Sequence, residues 1–411
     1  MNHSRKFSEI TLMIFSVFMI AAPIARADAV TDWNIKAGDI VVDAGLETPP
    51  CNRVLAIVQT AVYEAVNAIT KRYPASGLKL EAAPGASIDA AVAAANRATL
   101  AKLVPSQQAA IETAYRAALA AIADGPPKIE GIAVGEKAAA AILALRADDG
   151  AAIVETYRPY TLAGVYVPTV IPAVPQWVQR KPWLMTGPAQ FRPGPPPLLT
   201  SELWARDYNE VKTLGGKSST RRTAEQTEIA RFWEARLPPI YHGIVRSVAN
   251  MLGREITQNA RLFAAITQAT DDAMIAIFDA KYHYNFWRPV TAIRNGDIDG
   301  NDATERDASW TPFIDTPMHP EYPCAHCIVS GAVGTVLLAE VGTGPMPTLT
   351  TTSPTAKGAS RSWTKIEDFM QEVANGRVYD GVHYRNSTEV GTAMGKQIGE
   401  LAVAKYLRPV K

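Results

Sequence analysis

The sequence predicts a mainly α protein, built of helical bundles and long Pro-rich connections. Three observations carry this reading. Apolar residues Val54, Leu55, Val58, Ala61, Val62, Ala65 and Val66 recur once per helical turn. Ala-rich stretches follow at about 88–104, 107–123 and 131–147, where small side chains let helix axes approach closely. Alternating apolar–polar runs, the mark of a half-buried strand, are scarce. Gly125-Pro126-Pro127 and Asp148-Asp149-Gly150 punctuate the Ala-rich stretches. From Tyr157 to Pro197 the texture changes, with ten of the 29 prolines there. The aromatics Tyr157, Tyr160, Tyr166, Trp177, Trp183 and Phe191 mark that segment as an ordered wrapping connection.

Helical periodicity resumes after Thr200. Thr223-x-x-Gln226 has the form of a capping box ahead of Ile229, Ala230, Phe232 and Trp233. A long helical pattern runs from about Thr257 to Trp287 and stops there, because Pro289 disfavours helical geometry at Arg288. A loop to Tyr322 and an apolar helix from about Pro323 to Val341 follow. Gly342 to Lys357, rich in Thr, Pro and Gly, reads as a surface loop or flap. Asn386-x-x-Glu389 is placed to cap a last helix with Val390, Met394, Ile398 and Leu401 on one face. The division is then a leader (1–27), an N-terminal helical region with its Pro-rich connection (28–200), and a C-terminal helical region (201–411).

Composition narrows the function. With 41 Lys+Arg against 40 Asp+Glu in 411 residues, the chain lacks the basic excess of a nucleic-acid binder relying on bulk charge. Three cysteines do not staple a chain of this length. Arg5 and Lys6, the apolar run Ile10–Ala22 and the small-x-small Ala25-Arg26-Ala27 form a secretory leader, with Asp28 the expected mature start. About 13 apolar residues fall short of the roughly 20 that span a bilayer. No stable membrane span is expected after cleavage, and the expected compartment is extracytoplasmic, most simply the periplasm, where disulfides are permitted.

Chemistry-bearing residues concentrate in three places. In Lys281-Tyr-His-Tyr-Asn-Phe-Trp-Arg288-Pro289, the Lys and Arg are seven apart. On one continuous helix that puts both on one face, about 10 Å apart at Cα, so two long side chains converge on a small anion. In His319-Pro-Glu-Tyr-Pro323-Cys324-Ala325-His326, residues 324–326 open the apolar helix. The backbone N–H groups of a first turn lack helical partners and favour an anion, and a His there can move a proton near neutral pH. In Arg377-Val-Tyr-Asp-Gly381-Val-His383, Gly381 permits a turn that brings Arg377 and His383 to one centre. Together these make an oxyanion cradle of three cations, two histidines and a helix terminus.

The three segments resemble the vanadium-dependent haloperoxidases and the related acid phosphatases of the type 2 phosphatidic acid phosphatase superfamily. The shared pattern is Lys-x6-Arg-Pro, Pro-Ser-Gly-His, then Ser-Arg-x5-His-x3-Asp. Lys281, Arg288 and Pro289 match the first part, Pro323 and His326 the second, and Arg377 and His383 the third. The resemblance covers about 281–387, and its Phe-Trp-Arg-Pro wording is closer to the haloperoxidases. It implies a two-bundle helical fold and a vanadate cofactor ligated by His383. It also implies oxyanion binding by Lys281, Arg288, Arg377, Cys324 and Ala325, and acid–base work by His326. Hydrogen peroxide and halide would be the substrates. Cys324 stands where the family has Ser, Ala325 where it has Gly, Ser387 where it has Asp, and Asn375-Gly376 replaces the residues leading into Arg377. Ser387 thus removes a carboxylate that orients a His.

The runner-up function is a secreted acid phosphatase, hydrolysing a phosphate ester through a phosphohistidine at His383. Two further classes are a non-catalytic anion binder and a thiol oxidoreductase using Cys324-Ala-His-Cys327, although such motifs normally follow a strand in a small βαβ domain. Cys324 has Cys327 as its nearest pairing option and Cys51 as another. Asp297-x-Asp299-Gly300-Asn301-Asp302 reads as a polar turn, since the Gly is misplaced for a calcium loop and Ala308 stands where a bidentate Glu belongs.

Overall fold

The computed structural model describes residues 28–74 and 77–407; the expected leader, 1–27, lies outside them. Five helices come first: α1 (Ala29–Asp43), α2 (Thr48–Thr70), α3 (Ile88–Leu103), α4 (Gln108–Ala120) and α5 (Pro126–Leu145). The three Ala-rich stretches are α3, α4 and α5. The last begins at Pro126, not near 131, because proline suits the first helical position, where the N–H it lacks has no helical partner. The second half holds α6 (Glu202–Leu214), α7 (Ala224–Trp233), α8 (Pro239–Ala249), α9 (Ile256–Tyr284), α10 (Pro289–Arg294) and α11 (Ala325–Val341). A hairpin of β1 (Leu349–Ser353) and β2 (Ala359–Trp363) precedes α12 (Ile366–Tyr379) and α13 (Arg385–Tyr406). The fold is mainly α.

Helix α9 is the central post. Every residue from Leu262 to Lys281 is buried, because one side packs on α2 and the other on α11 and α13. Helices α2, α3 and α5 pack on one another, as do α11, α12 and α13, and residues of both groups share one continuous hydrophobic core with α9. Glycines let α11 and α13 touch. A Cβ at Gly395 would stand 2.1 Å from the Ile328 carbonyl oxygen, and one at Gly391 would stand 2.5 Å from that of Cys324. The contact at Gly391 holds the start of α11 against α13.

The Pro-rich segment is ordered, as its aromatics predict, and α9 orders it. Arg180 donates to Asp271 at 2.6 Å and to Asp149 at 2.7 Å. The Trp183 indole donates to Asp271 at 2.9 Å, while Asp272 accepts the backbone N–H groups of Trp183, Leu184 and Met185. Buried charges persist only when paired and hydrogen-bonded in this way. The capping box at Thr223 and Gln226 is present.

Four local expectations need correction. The long helix ends at Tyr284, three residues early, because Asn285 adopts a left-handed conformation (φ 49°) that Asn tolerates. Arg288 therefore leaves α9's face and becomes the residue before α10, a short helix inside the expected loop. The expected flap contains β1: its Thr-rich run, β-branched and favourable to strands, pairs with β2 in register Leu349 to Trp363. Finally, α13 starts at Arg385 after Tyr384, so Asn386 lies inside it and is not its cap. The Asp299 turn is a local hydrogen-bonding unit: Asp299 accepts from Thr304 and from the Trp204 indole. Among the described residues no helix is long and apolar enough to cross a membrane.

Candidate active site

Lys281, in the last turn of α9, is fully buried and donates to the carbonyls of Pro320 (3.0 Å) and Glu321 (2.6 Å). Burial, then the like charge of Arg288, holds its pKa well below the usual lysine value. Arg288 donates through Nε to the His319 carbonyl (2.9 Å) and through Nη1 to that of Val382 (2.7 Å). The same guanidinium faces two imidazoles, His383 Nε2 at 3.3 Å and His319 Nδ1 at 3.0 Å. Burial brings its pKa down to about 10. Arg377, in the last turn of α12, donates to the Trp233 carbonyl at 2.6 Å and pairs with Asp380 at 2.7 Å. Gly376 lets this turn press on Trp233: a Cβ there would meet the indole at 3.1 Å. The turn expected at Gly381 forms (φ 83°), and the His383 N–H donates back to the Arg377 carbonyl at 3.1 Å.

These contacts assign the His383 tautomer. Arginine has no acceptor, so His383 Nε2, which faces Arg288, presents its lone pair. His383 thus carries its proton on Nδ1 and donates it to Glu321 Oε1 at 2.7 Å. Glu321 also accepts the Tyr384 N–H at 3.1 Å. The carboxylate that Ser387 seemed to remove is therefore supplied by Glu321, from the loop before α11. The Ser387 hydroxyl stays beside the same ring, 3.5 Å from Nδ1. Burial, then Arg288, Lys281 and Arg377, keeps the His383 pKa well below 6.5, so its ring is neutral. Burial pushes Glu321 and Asp380 up to about 7 each.

Helix α11 opens as expected. Cys324 is its cap, and its Sγ accepts the Cys327 N–H at 3.4 Å. Ala325 and His326 occupy the first two helical positions, where backbone N–H groups have no intrahelical acceptor. His326 Nε2 contacts the Ala235 carbonyl at 3.3 Å, which places the ring proton there and leaves Nδ1 as a base. Burial, then Arg377, holds His326 well below its ordinary pKa. His319, His326, Arg377 and His383 line one cavity of about 790 Å³, with Met274 and Phe278 on its apolar wall. Thr351 of β1 lines it too, so part of the expected flap is cavity wall.

The structure brings Arg377, His383, Ala325 and His326 to one cavity, with Arg288 against His383, Lys281 held by the Pro320 and Glu321 carbonyls, and Cys324 at the cap of the helix that carries Ala325 and His326. Sequence reasoning singled out none of Glu321, His319 and Asp380 as site residues, although all three lie inside the quoted segments.

Comparison with known proteins gives a consistent result. Residues 261–411 match the family model described as the VCPO second helical-bundle domain. Vanadium chloroperoxidase of Curvularia inaequalis is 28% identical over 174 residues, 35% of this chain. The match spans 28% of that relative's length. A solved structure described as the first bacterial vanadium-dependent iodoperoxidase superposes with a TM-score of 0.79 at 25% identity, covering 92% of this chain and 96% of that one. The C-terminal part of this chain thus resembles the vanadium chloroperoxidases in sequence, and its fold resembles that of the bacterial iodoperoxidase along most of both chains. Apo- and holo-type structures of a bacterial vanadium-dependent chloroperoxidase share the fold, each at TM-score 0.69 and 17% identity. They cover 87% and 89% of this chain, and 92% and 94% of their own.

The raised carboxyl pKa of Glu321 has a measurable consequence. A Glu321 pKa of about 7 when folded, against 4.5 for an ordinary glutamate, means the folded state holds the extra proton. Its stabilising contribution is complete below about pH 4.5 and is lost as pH rises through about 7. Urea unfolding of wild type and Glu321→Gln across that window is expected to show the wild type losing on the order of 2–3 kcal/mol relative to the variant. Parallel pH curves would place the ionisation of Glu321 elsewhere.

Proposed function

We propose that this protein is a vanadate-dependent haloperoxidase-like enzyme that oxidises halide with hydrogen peroxide. The observation that carries the reading is the unbalanced charge of the cradle. Among the described residues neither Lys281 nor Arg288 makes an ion pair with a carboxylate, and both are held by carbonyls and imidazoles. Arg377 Nε is buried without a hydrogen-bond partner. A multiply charged oxyanion answers all three, since charge-assisted hydrogen bonds are the strong ones.

The residues present therefore fit vanadate. Lys281, Arg288, Arg377 and the first N–H groups of α11 would hold its oxygens, and His383 Nε2 would ligate vanadium. Glu321 fixes the His383 tautomer and raises the basicity of Nε2, as carboxylates do behind metal-bound imidazoles. Bound vanadate supplies Lewis-acid activation of peroxide toward two-electron oxidation of a halide. His326 Nδ1, neutral because of burial and Arg377, takes a proton from the entering peroxide and returns it to the departing oxygen. The cavity admits small substrates to this face. On the leader alone, we place the enzyme outside the cytoplasm.

The test uses the purified protein with orthovanadate, peroxide and bromide, and in parallel with a chromogenic phosphate ester. Halide oxidation that requires vanadate is expected. Phosphate should compete with vanadate, and either anion at 100 times its Kd should stabilise the fold by about 2.7 kcal/mol. Phosphate-ester hydrolysis without halide oxidation would overturn the reading in favour of the phosphatase.

A further inference from the structure

Cys324 and Cys327 are used by no step above, yet they form a distinct unit. Both are fully buried, and with Ala374 they make a small cluster separate from the main core. Their sulfur atoms lie 2.7 Å apart, at the cap and third position of α11. Cys51 takes no part: it sits in the main core on α2, with its thiol directed to the Leu46 carbonyl at 3.5 Å. We infer that Cys324 and Cys327 are a peroxide-oxidisable dithiol, built into the back wall of the cradle and able to close to a disulfide.

The placement divides the roles. Cys324 accepts the Cys327 backbone N–H and stands at the N-terminus of a 17-residue helix, with Arg377 and Lys281 nearby. These features stabilise negative charge on its sulfur, and a thiolate is the nucleophile. Burial holds Cys327 as the neutral thiol. Ala325 and His326, the residues between the two, line the cavity, so a molecule of peroxide size has one helical turn to pass.

In the first step Cys324 Sγ attacks a peroxide oxygen. An S–O bond forms, the O–O bond breaks, and hydroxide leaves as water after taking a proton. Sulfur is oxidised by two electrons to sulfenic acid, and peroxide is reduced by two. In the second step Cys327 Sγ attacks Cys324 Sγ, the S–S bond forms, the S–O bond breaks, and the Cys327 proton leaves with hydroxide as water. Two thiols and one peroxide give one disulfide and two waters. The reaction needs neither vanadate nor halide, so it does not depend on the proposed haloperoxidase activity.

The experiment uses the full mature chain, reduced with dithiothreitol, desalted, free of vanadate, and exposed to hydrogen peroxide. Intact mass should fall by two hydrogens, peptide mapping should join Cys324 to Cys327, and dithiothreitol should reverse both. Cys51→Ser should behave as wild type. Cys327→Ser should stop at a sulfenic acid trapped by dimedone on Cys324, and Cys324→Ser should form no disulfide. Three free thiols persisting in excess peroxide would overturn the proposal. So would a disulfide to Cys51, or a first sulfenic acid on Cys327. The wild-type mapping stands even if a Cys variant fails to fold.

Discussion

An alanine at position 383 is expected to abolish tight vanadate binding while weakening phosphate binding far less. Vanadate would gain a bond to nitrogen at His383 Nε2, whereas phosphate is held by charge and hydrogen bonds alone. The site is organised for that nitrogen. Nδ1–H is committed to Glu321 at 2.7 Å, and burial among three cations keeps the ring neutral, so the lone pair is available at working pH. Lys281→Ala or Arg377→Ala should instead weaken both anions together, by roughly 1–3 kcal/mol, the usual loss for a hydrogen bond to a charged group. Equilibrium dialysis or calorimetric titration with each anion separates the two patterns. Vanadate affinity unchanged in His383→Ala would remove this protein from the proposed mechanism. Equal losses of vanadate and phosphate would make His383 one more binding group.

The parts of this site legible in the sequence are those whose partners are local. Lys281, Arg288, His326, Arg377 and His383 were readable from spacing, and the return of His383 to Arg377 followed from one glycine within the same turn. Glu321 was not readable, because it meets His383 across 62 positions of chain and no periodicity connects them. Ser387 was therefore read as a lost carboxylate, when the carboxylate had only changed its element. The reading of Arg288 failed differently. Its distance from Lys281 suited one helix, but the left-handed Asn285 ended α9, and Arg288 reached the same centre from the next segment. Helices were legible because apolar periodicity is a property of each segment. The hairpin was missed because a strand such as β1 is stabilised by its partner and by α8, where Thr351 donates to the Ile240 carbonyl.

Replacing His326 by alanine is expected to lower turnover about 100-fold or more, the scale of a lost general acid–base group, with anion affinity largely intact. The structure gives the reason for the split. His326 hydrogen-bonds to the Ala235 carbonyl and not to Lys281, Arg288 or Arg377, so its removal leaves the oxyanion's partners in place. It lies on the cavity wall, where an entering substrate meets it. The pH profile supplies the second reading. A base whose pKa is held well below 6.5 by burial and Arg377 is unprotonated throughout the neutral range. The wild type should lose kcat/KM only on the acid side, as His326 takes up its proton, and His326→Ala should lack that limb because nothing remains there to protonate. Steady-state rates between pH 4 and 8, with vanadate affinity measured on the same samples, test both statements. A collapse of affinity with an unaltered pH profile would make His326 a binding residue, and the proton would then have to move through His319, the other cavity-lining imidazole beside Arg288.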